Sequence, residues 1–326
     1  VLDGLARGLR SAGHEVLLFA TGDSTCPVPL AWAFERAVGV GGDVPTEISH
    51  ALRAYERVMD WSPDVVHDHT LVGPLLGSHG CVPVVTTNHG PFEPKLRDLY
   101  RAIATRVGVI AISHDQASAA DGIPLLAVIH HGIDADAFEF GAGDGGYALF
   151  LGRMTPDKGA DLAASVARRA GVPLRIAGKL RESDEIEFFQ SAVEPLLGDG
   201  IDYVGEVDAA TRRELLARAT CLLNPLRWNE PFGMVMIEAL ASGTPVLATP
   251  HGSVPEIVEH GLTGFISDDP DELVRLLGKV DDLDRGQCRR AAEDRFSIER
   301  MTQDHLRAYG QMLDRAEGFA IDAAAR

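Results

Sequence analysis

The chain has 326 residues, 45% hydrophobic and 24% charged, with 30 basic against 48 acidic side chains and a net charge of −18 with histidine neutral. That length suits two ordinary domains, each with its own core. The acidic balance argues against nucleic acid as a partner and against strong electrostatic docking on anionic lipid, leaving peripheral membrane contact open.

Val1–Leu9 reads as an amphipathic helix with no strand before it and no initiator methionine. Short runs rich in Val, Ile and Leu then alternate with helix-length amphipathic stretches. The first strand series is 15–20, 64–67, 84–87, 109–112 and 126–129, with helices expected over 47–60 and 95–106. Ser113-His114-Asp115-Gln116 has the spacing of a capping box that opens another helix. Phe140–Gly146 carries four glycines in seven residues and reads as the linker, which places a boundary near residue 140. A second strand series follows at 147–152, 174–177, 202–204, 221–224, 245–248 and 264–266, with helices over 158–170, 185–197, 209–217 and 271–278. Ser297 reads as the N-cap of a final helix, and the Ala-rich tail 318–326 is expected to fray. Near-continuous apolar strands between helices mean α/β architecture with parallel sheets covered on both faces. The expected domains are 1–140 and 141–296, followed by a helix over 297–326.

The four cysteines, Cys26, Cys81, Cys221 and Cys288, form no C-x-x-C pair and read as small buried hydrophobes in a reducing compartment. No apolar run approaches the ~20 residues needed to span a bilayer, and no signal peptide is visible. The cytoplasm is the expected compartment.

The most informative segment is Asn229-Glu-Pro-Phe-Gly-Met-Val-Met-Ile-Glu-Ala-Leu-Ala-Ser-Gly-Thr-Pro-Val246. Two glutamates, Glu230 and Glu238, stand eight positions apart across a turn and the start of a short helix. Pro231 can enter a helix's first turn, Gly233 admits close approach of a ligand, and Gly243 ends the helix. The helix N-terminus is an anion site, with backbone N–H groups at Phe232, Gly233, Met234 and Val235. Carboxylates on both sides of it suit a ligand with phosphates in the middle and hydroxyls at both ends. A nucleotide-sugar has that shape.

This segment resembles the donor site of the retaining glycosyltransferases of family 4, which have the GT-B fold of two Rossmann-like domains facing across a cleft. Further segments match that family in order: Asp64–His67, Thr87-Asn-His-Gly90, Val128–Asp134, Leu149-Phe-Leu-Gly-Arg153 through Lys158-Gly159, Leu174–Gly178, Val204-Gly205 and Gly252-Ser-Val-Pro-Glu256. The family begins with a strand and a glycine-rich loop ahead of its first helix, so this sequence reads as a fragment lacking both. Loss of a central strand would leave apolar sheet edges unpaired. The family's last helix crosses back onto the N-terminal domain.

The resemblance implies roles for individual residues. Glu238 accepts the two ribose hydroxyls, and Glu230 binds the donor sugar near the reacting centre. Arg153 and Lys158 hold the departing diphosphate beside Gly152, where fixed cations stabilise the charge that develops. His89 contacts the donor sugar. Gly178-Lys179 and the Gly205-Glu206-Val207 loop lie at strand ends, where they can wall the base. His131 stands where relatives often carry Asn, and its segment reads as a turn. His67-Asp68-His69 looks like a metal cluster, but two histidines and an adjacent aspartate are thin for zinc, so no metal and no cofactor are expected.

The implied activity moves a sugar from a nucleotide-diphosphate donor to a hydroxyl acceptor with retention, without a metal. The rival expectations are an epimerase or hydrolase of nucleotide-sugars on the same fold, and a non-catalytic nucleotide-sugar-binding fragment.

Overall fold

The computed structural model describes residues 1–37, 44–78 and 82–324, and Cys81 lies outside them. The chain forms two compact units, Val1–Gly132 with Ile298–Arg326, and Ile133–Ser297.

The first unit runs α1 (Leu2–Ser11), β1 (Leu18–Ala20), β2 (Leu30–Trp32), α2 (Val44–Trp61), β3 (Val66–Asp68), α3 (Gly73–Gly77), β4 (Val84–Thr87), α4 (Pro94–Ile103), β5 (Val107–Ala111), α5 (His114–Ser118) and β6 (Leu125–Val128). Strands β3-β4-β5-β6 make a parallel sheet, and β1 pairs in parallel with β2 alone. Cavities of about 460 and 450 Å³ lie beside β1 and β3, both touching Leu18, Val65, His67 and His69. Fully buried β4 and β5 form the centre, with Val84, Val107, Val109 and Ala111 against Tyr100 and Ile103 of α4. On the other face Val85 and Ile110 meet Leu5 of α1 and Met301, Tyr309 and Met312 of the terminal helix.

The second unit continues β7 (Ala148–Leu151), α6 (Ala160–Ala170), β8 (Leu174–Ala177), α7 (Ser183–Phe188), β9 (Ile201–Gly205), α8 (Ala209–Arg218), β10 (Cys221–Asn224), α9 (Met234–Ala241), β11 (Val246–Ala248), α10 (Val254–Ile257), β12 (Gly264–Ile266), α11 (Pro270–Leu277) and α12 (Arg285–Arg295). Helix α13 (Ile298–Ala324) then rejoins the first unit, where it packs on α1. The six-stranded sheet has the order β12-β11-β10-β7-β8-β9, all parallel. That is the doubly wound order, and strand addition reverses between β7 and β10.

Several expectations need correcting. The glycine-rich stretch 140–146 is not a free linker, because it belongs to the second unit. Gly141, Gly143 and Gly145 donate their N–H groups to the carbonyls of Ser242, Ala217 and Arg218, and Arg285 Nε donates to Gly141 O. The expected helix 185–197 ends at Phe188 and continues as a wide turn, Phe189–Val193, and a tight one, Glu194–Leu196; Pro195 brings no N–H to a regular helix there. Ser113 caps α5 by accepting from Gln116 N at 3.0 Å, but the box does not close. Gln116 Oε1 instead accepts from Ile112 N at 2.7 Å, and its amide donates to Asn88 O and Gly90 O. Cys221 and Cys288 are buried, whereas Cys26 is only half-buried. The tail continues as helix to Ala324. Among the described residues no helix is long and apolar enough to cross a membrane.

Candidate active site

In open parallel sheets of this order, ligands bind outside the carboxyl ends of the strands, beside the point of reversal. The loops that leave those ends here are 152–159 after β7 and 225–233 after β10, and they carry Gly152, Arg153, Lys158, Glu230, Phe232 and Gly233. Lys158 Nζ donates to Glu230 Oε2, joining the two loops with side chains only 17% and 16% exposed. Trp228 Nε1 donates to the same oxygen at 3.0 Å, and its ring centroid lies 4.9 Å from the Lys158 ammonium. Arg227, which no motif marks, ties the loops together further on. Its guanidinium grips Asp161 with two hydrogen bonds of 2.7 and 2.8 Å and reaches Pro156 O, while its N–H donates to Asp157 O. Arg153 projects from the first loop about half exposed, 4.0 Å from Asp157.

Glu230 is held from behind by the segment after β11. A Cβ at Gly252, whose φ is +63°, would lie 2.3 Å from both the nitrogen and the oxygen of Glu230. Ser253 donates its N–H to Glu230 O at 3.0 Å and its hydroxyl to Phe232 O at 2.6 Å. Gly178 and Gly152 also meet closely, since a Cβ on Gly178 would sit 1.9 Å from Gly152 O.

Pro231 does not open α9. Gly233, at φ +77°, is the N-cap without a side-chain cap bond, so the proline stands ahead of the helix. Only a residue tolerant of the left-handed region can turn the chain there. Met234 and Val235 follow, half-buried, on the first turn. Phe232 is 2% exposed and its ring stands edge-on to Phe296 at 6.1 Å, so the side chain is a core anchor.

Glu238 is 7% exposed. Its Oε1 lies 3.4 Å from the Arg212 guanidinium on α8, and its Oε2 is buried with no hydrogen-bond partner among the described residues. Burial pushes its pKa above the ordinary carboxylate value, and Arg212 and Arg213 oppose that shift. Lys179 pairs at 3.5 Å with the buried carboxylate of Glu185. Val207 is half-buried just before Asp208, the N-cap of α8.

His89 belongs to the first unit and is not isolated. Its Nε2 lies 2.9 Å from His69 Nδ1, and its Nδ1 lies 3.4 Å from His131 Nε2. The three rings stack in a row, with neighbouring centroids 5.2 Å apart. His131, read above as a turn residue, is therefore a buried member of this row. His67 adjoins His69 at 4.0 Å between ring centroids and bonds Thr87 and Tyr309. Burial first, and neighbouring imidazoles second, hold His67, His69 and His131 well below the usual histidine value. Asp68 does not join the pair: its carboxylate accepts from Thr70 N, Thr70 Oγ1 and Tyr55 OH.

The residues missed from sequence are Arg212, Arg227 and Trp228, and the contacts that join His69 and His131 to His89 were missed as well. Arg212 lies in Thr-Arg-Arg-Glu-Leu-Leu, where its charge reads as a solvated helix face, and only the tertiary fold shows its partner.

Residues 1–137 match the family described as Glycosyltransferase Family 4, and residues 133–294 match Glycosyl transferases group 1. The phosphatidyl-myo-inositol mannosyltransferase of Mycolicibacterium smegmatis is 28% identical over 330 residues, covering 89% of this chain and 83% of that protein. The D-inositol 3-phosphate glycosyltransferase of the same organism is 28% identical over 319 residues, covering 80% and 72%. Among solved structures, Anabaena HepE in complex with UDP and glucose superposes with a TM-score of 0.74 at 19% identity, over 95% of each chain, a likeness of fold. With two adjoining family matches laid over its two parallel-sheet units, the chain belongs to the family 4 glycosyltransferases and has their GT-B fold.

Proposed function

We propose that this glycosyltransferase is a retaining, metal-independent enzyme of the cytoplasm that takes its sugar from a nucleoside diphosphate held by the second unit. The observation that supports this best is the meeting of Lys158 and Glu230 at the point of reversal of the sheet, beside the uncapped start of α9. In this proposal Lys158 and Arg153 draw the charge of the departing diphosphate, which approaches Gly152 and the N–H groups of Phe232, Gly233, Met234 and Val235, while Gly178 stays with the wall of the base. Glu230 accepts sugar hydroxyls. Glu238 accepts the ribose hydroxyls, and Lys179 and Val207 wall the base. The anomeric carbon–phosphate oxygen bond breaks as the acceptor oxygen bonds to the same face. The acceptor's proton passes to the departing phosphate oxygen.

Two relatives carry names that specify inositol-bearing acceptors, so myo-inositol phosphate and phosphatidylinositol belong in the acceptor panel. The test incubates UDP-, GDP- and dTDP-sugars with and without each acceptor and follows nucleotide release and product configuration. Acceptor-dependent release with a retained anomeric centre, lowered by about 10²–10³-fold in Glu230→Gln, is expected. Rapid acceptor-independent turnover would favour the hydrolase or epimerase. Binding without turnover would favour the non-catalytic reading. Trapping of a covalent glycosyl-enzyme would overturn the single-step mechanism.

A further inference from the structure

Glu238 is an expensive residue to place where it stands. Its side chain is 9% exposed, one oxygen lies at ion-pair distance from Arg212 Nη2, and the other is buried without a partner among the described residues. A half-satisfied buried carboxylate is retained where something completes it. Arg212 shows the complementary pattern: its Nε is also buried without a partner, although the side chain as a whole is 39% exposed. The two side chains come from different helices. Asp208 caps α8 by accepting from Thr211 N at 2.7 Å, which fixes the first turn and places Arg212 on it. Glu238 lies past the middle of α9. The pair therefore bridges the turn after β9 to the helix that follows the Glu230 loop.

We propose that Arg212 is a positioning residue of the donor site, which holds Glu238 as a carboxylate with Oε2 turned toward the nucleoside's vicinal diol. The pair thereby sets the preference for ribonucleotides over 2′-deoxyribonucleotides. This rests on the donor-site reading of Glu238 given above. A ribose diol offers two O–H donors to a carboxylate, and a 2′-deoxyribose offers one. An oxygen anchored by a guanidinium cannot rotate away, so the remaining oxygen meets the sugar in one orientation. An Arg212 with a merely structural role would affect folding but not the distinction between the two sugars.

The test is calorimetric binding of UDP, 2′-deoxy-UDP, GDP, 2′-deoxy-GDP and dTDP to the whole chain and to Arg212→Met, Arg212→Gln, Arg212→Lys and Glu238→Gln, with thermal unfolding run alongside. The wild type is expected to prefer the ribonucleotide of its own base by about tenfold or more, the worth of one charge-assisted hydrogen bond. Glu238→Gln and the Met and Gln variants at Arg212 should lose most of that preference by weakening the ribonucleotide alone. Arg212→Lys should recover part of it. If Arg212→Met fails to fold, the polar but uncharged Arg212→Gln and the charge-keeping Arg212→Lys decide the matter. An unchanged ribose preference in the folded Arg212 variants overturns the proposal, and so does equal weakening of ribo- and deoxyribonucleotides. If none of UDP, GDP and dTDP binds the wild type, the donor-site reading itself has failed; if dTDP alone binds, the ribose preference is overturned. If Glu238→Gln loses the preference while the Arg212 variants keep it, only the role of Arg212 has failed.

Discussion

Lys158 and Glu230, 72 positions apart, close an ion pair across the two loops that leave β7 and β10. The same Glu230 oxygen accepts from Trp228 Nε1, so the pair is fixed in direction as well as in charge. Glu230→Gln and Lys158→Met should each lower kcat/KM by about 10²–10³-fold, the usual cost of removing one preorganised charge-stabilising group. Because the two groups share a contact, the double variant should be less damaged than the product of the single losses. Steady-state kinetics on the four proteins would measure the coupling. Strict multiplication would show that the pair does not act as a unit.

Gly252 offers a sharper steric test. A methyl group there would strike the Glu230 backbone on two atoms, whereas Gly261, at φ +81°, has nothing within 4 Å of an added Cβ. Both Gly→Ala changes carry the penalty of a left-handed residue, about 1–2 kcal/mol. Only Gly252→Ala should also displace the Glu230 loop, raising the donor KM and lowering the unfolding temperature further. Equal effects from the two substitutions would mean that the clamp on Glu230 is unimportant.

The histidine row makes the first unit acid-sensitive. Burial pushes His305 of α13, whose ring centroid lies 5.2 Å from that of His67, down to about 4, and His67, His69 and His131 are depressed in the same direction. The unfolded chain takes up protons near pH 6.5 while the folded chain stays neutral. Stability is therefore complete above pH 6.5 and lost as pH falls toward the folded values. Each such histidine contributes a slope of up to about 1.4 kcal/mol per pH unit in that window. Asp68 of the same unit, raised by burial, acts with the opposite sign and blunts the slope. Urea unfolding between pH 4 and 7 should show the loss, and His305→Gln should make it shallower.

Activity should survive dialysis against EDTA, since the roles proposed at the donor's diphosphate fall to Lys158 and Arg153. Loss of turnover restored by a divalent cation would overturn the metal-independent reading.

Much of the second unit was legible because most of its strands are near-continuous apolar runs, those of β7, β10 and β11 buried on both faces, and 174–177, 221–224 and 264–266 lie where the pattern put them. In the first unit the strand Leu30–Trp32 went unseen, being three residues long and half-exposed between Pro27, Pro29 and charged neighbours. The carboxylates of the donor segment could be named from spacing, but their partners could not. Arg212 meets Glu238 only because α8 and α9 pack together. His131 meets His89 only because two loops of the first unit converge. Pairings of that kind depend on packing between distant segments and leave no local trace in composition or periodicity.

The stretch 140–146 looks like the natural place for a protease to cut or for an engineer to splice in a tag. Its alternate N–H groups are bonded to the carbonyls that end α8 and follow α9, and Arg285 reaches Gly141 O, Ala219 O and Ala217 O from one guanidinium. A protease must draw several residues of extended backbone into its cleft, which here means stripping three elements of the second unit at once. Limited digestion should leave this glycine-rich segment intact until that unit opens, and an insertion there should lower expression more than one of equal length at the exposed Gly261 turn.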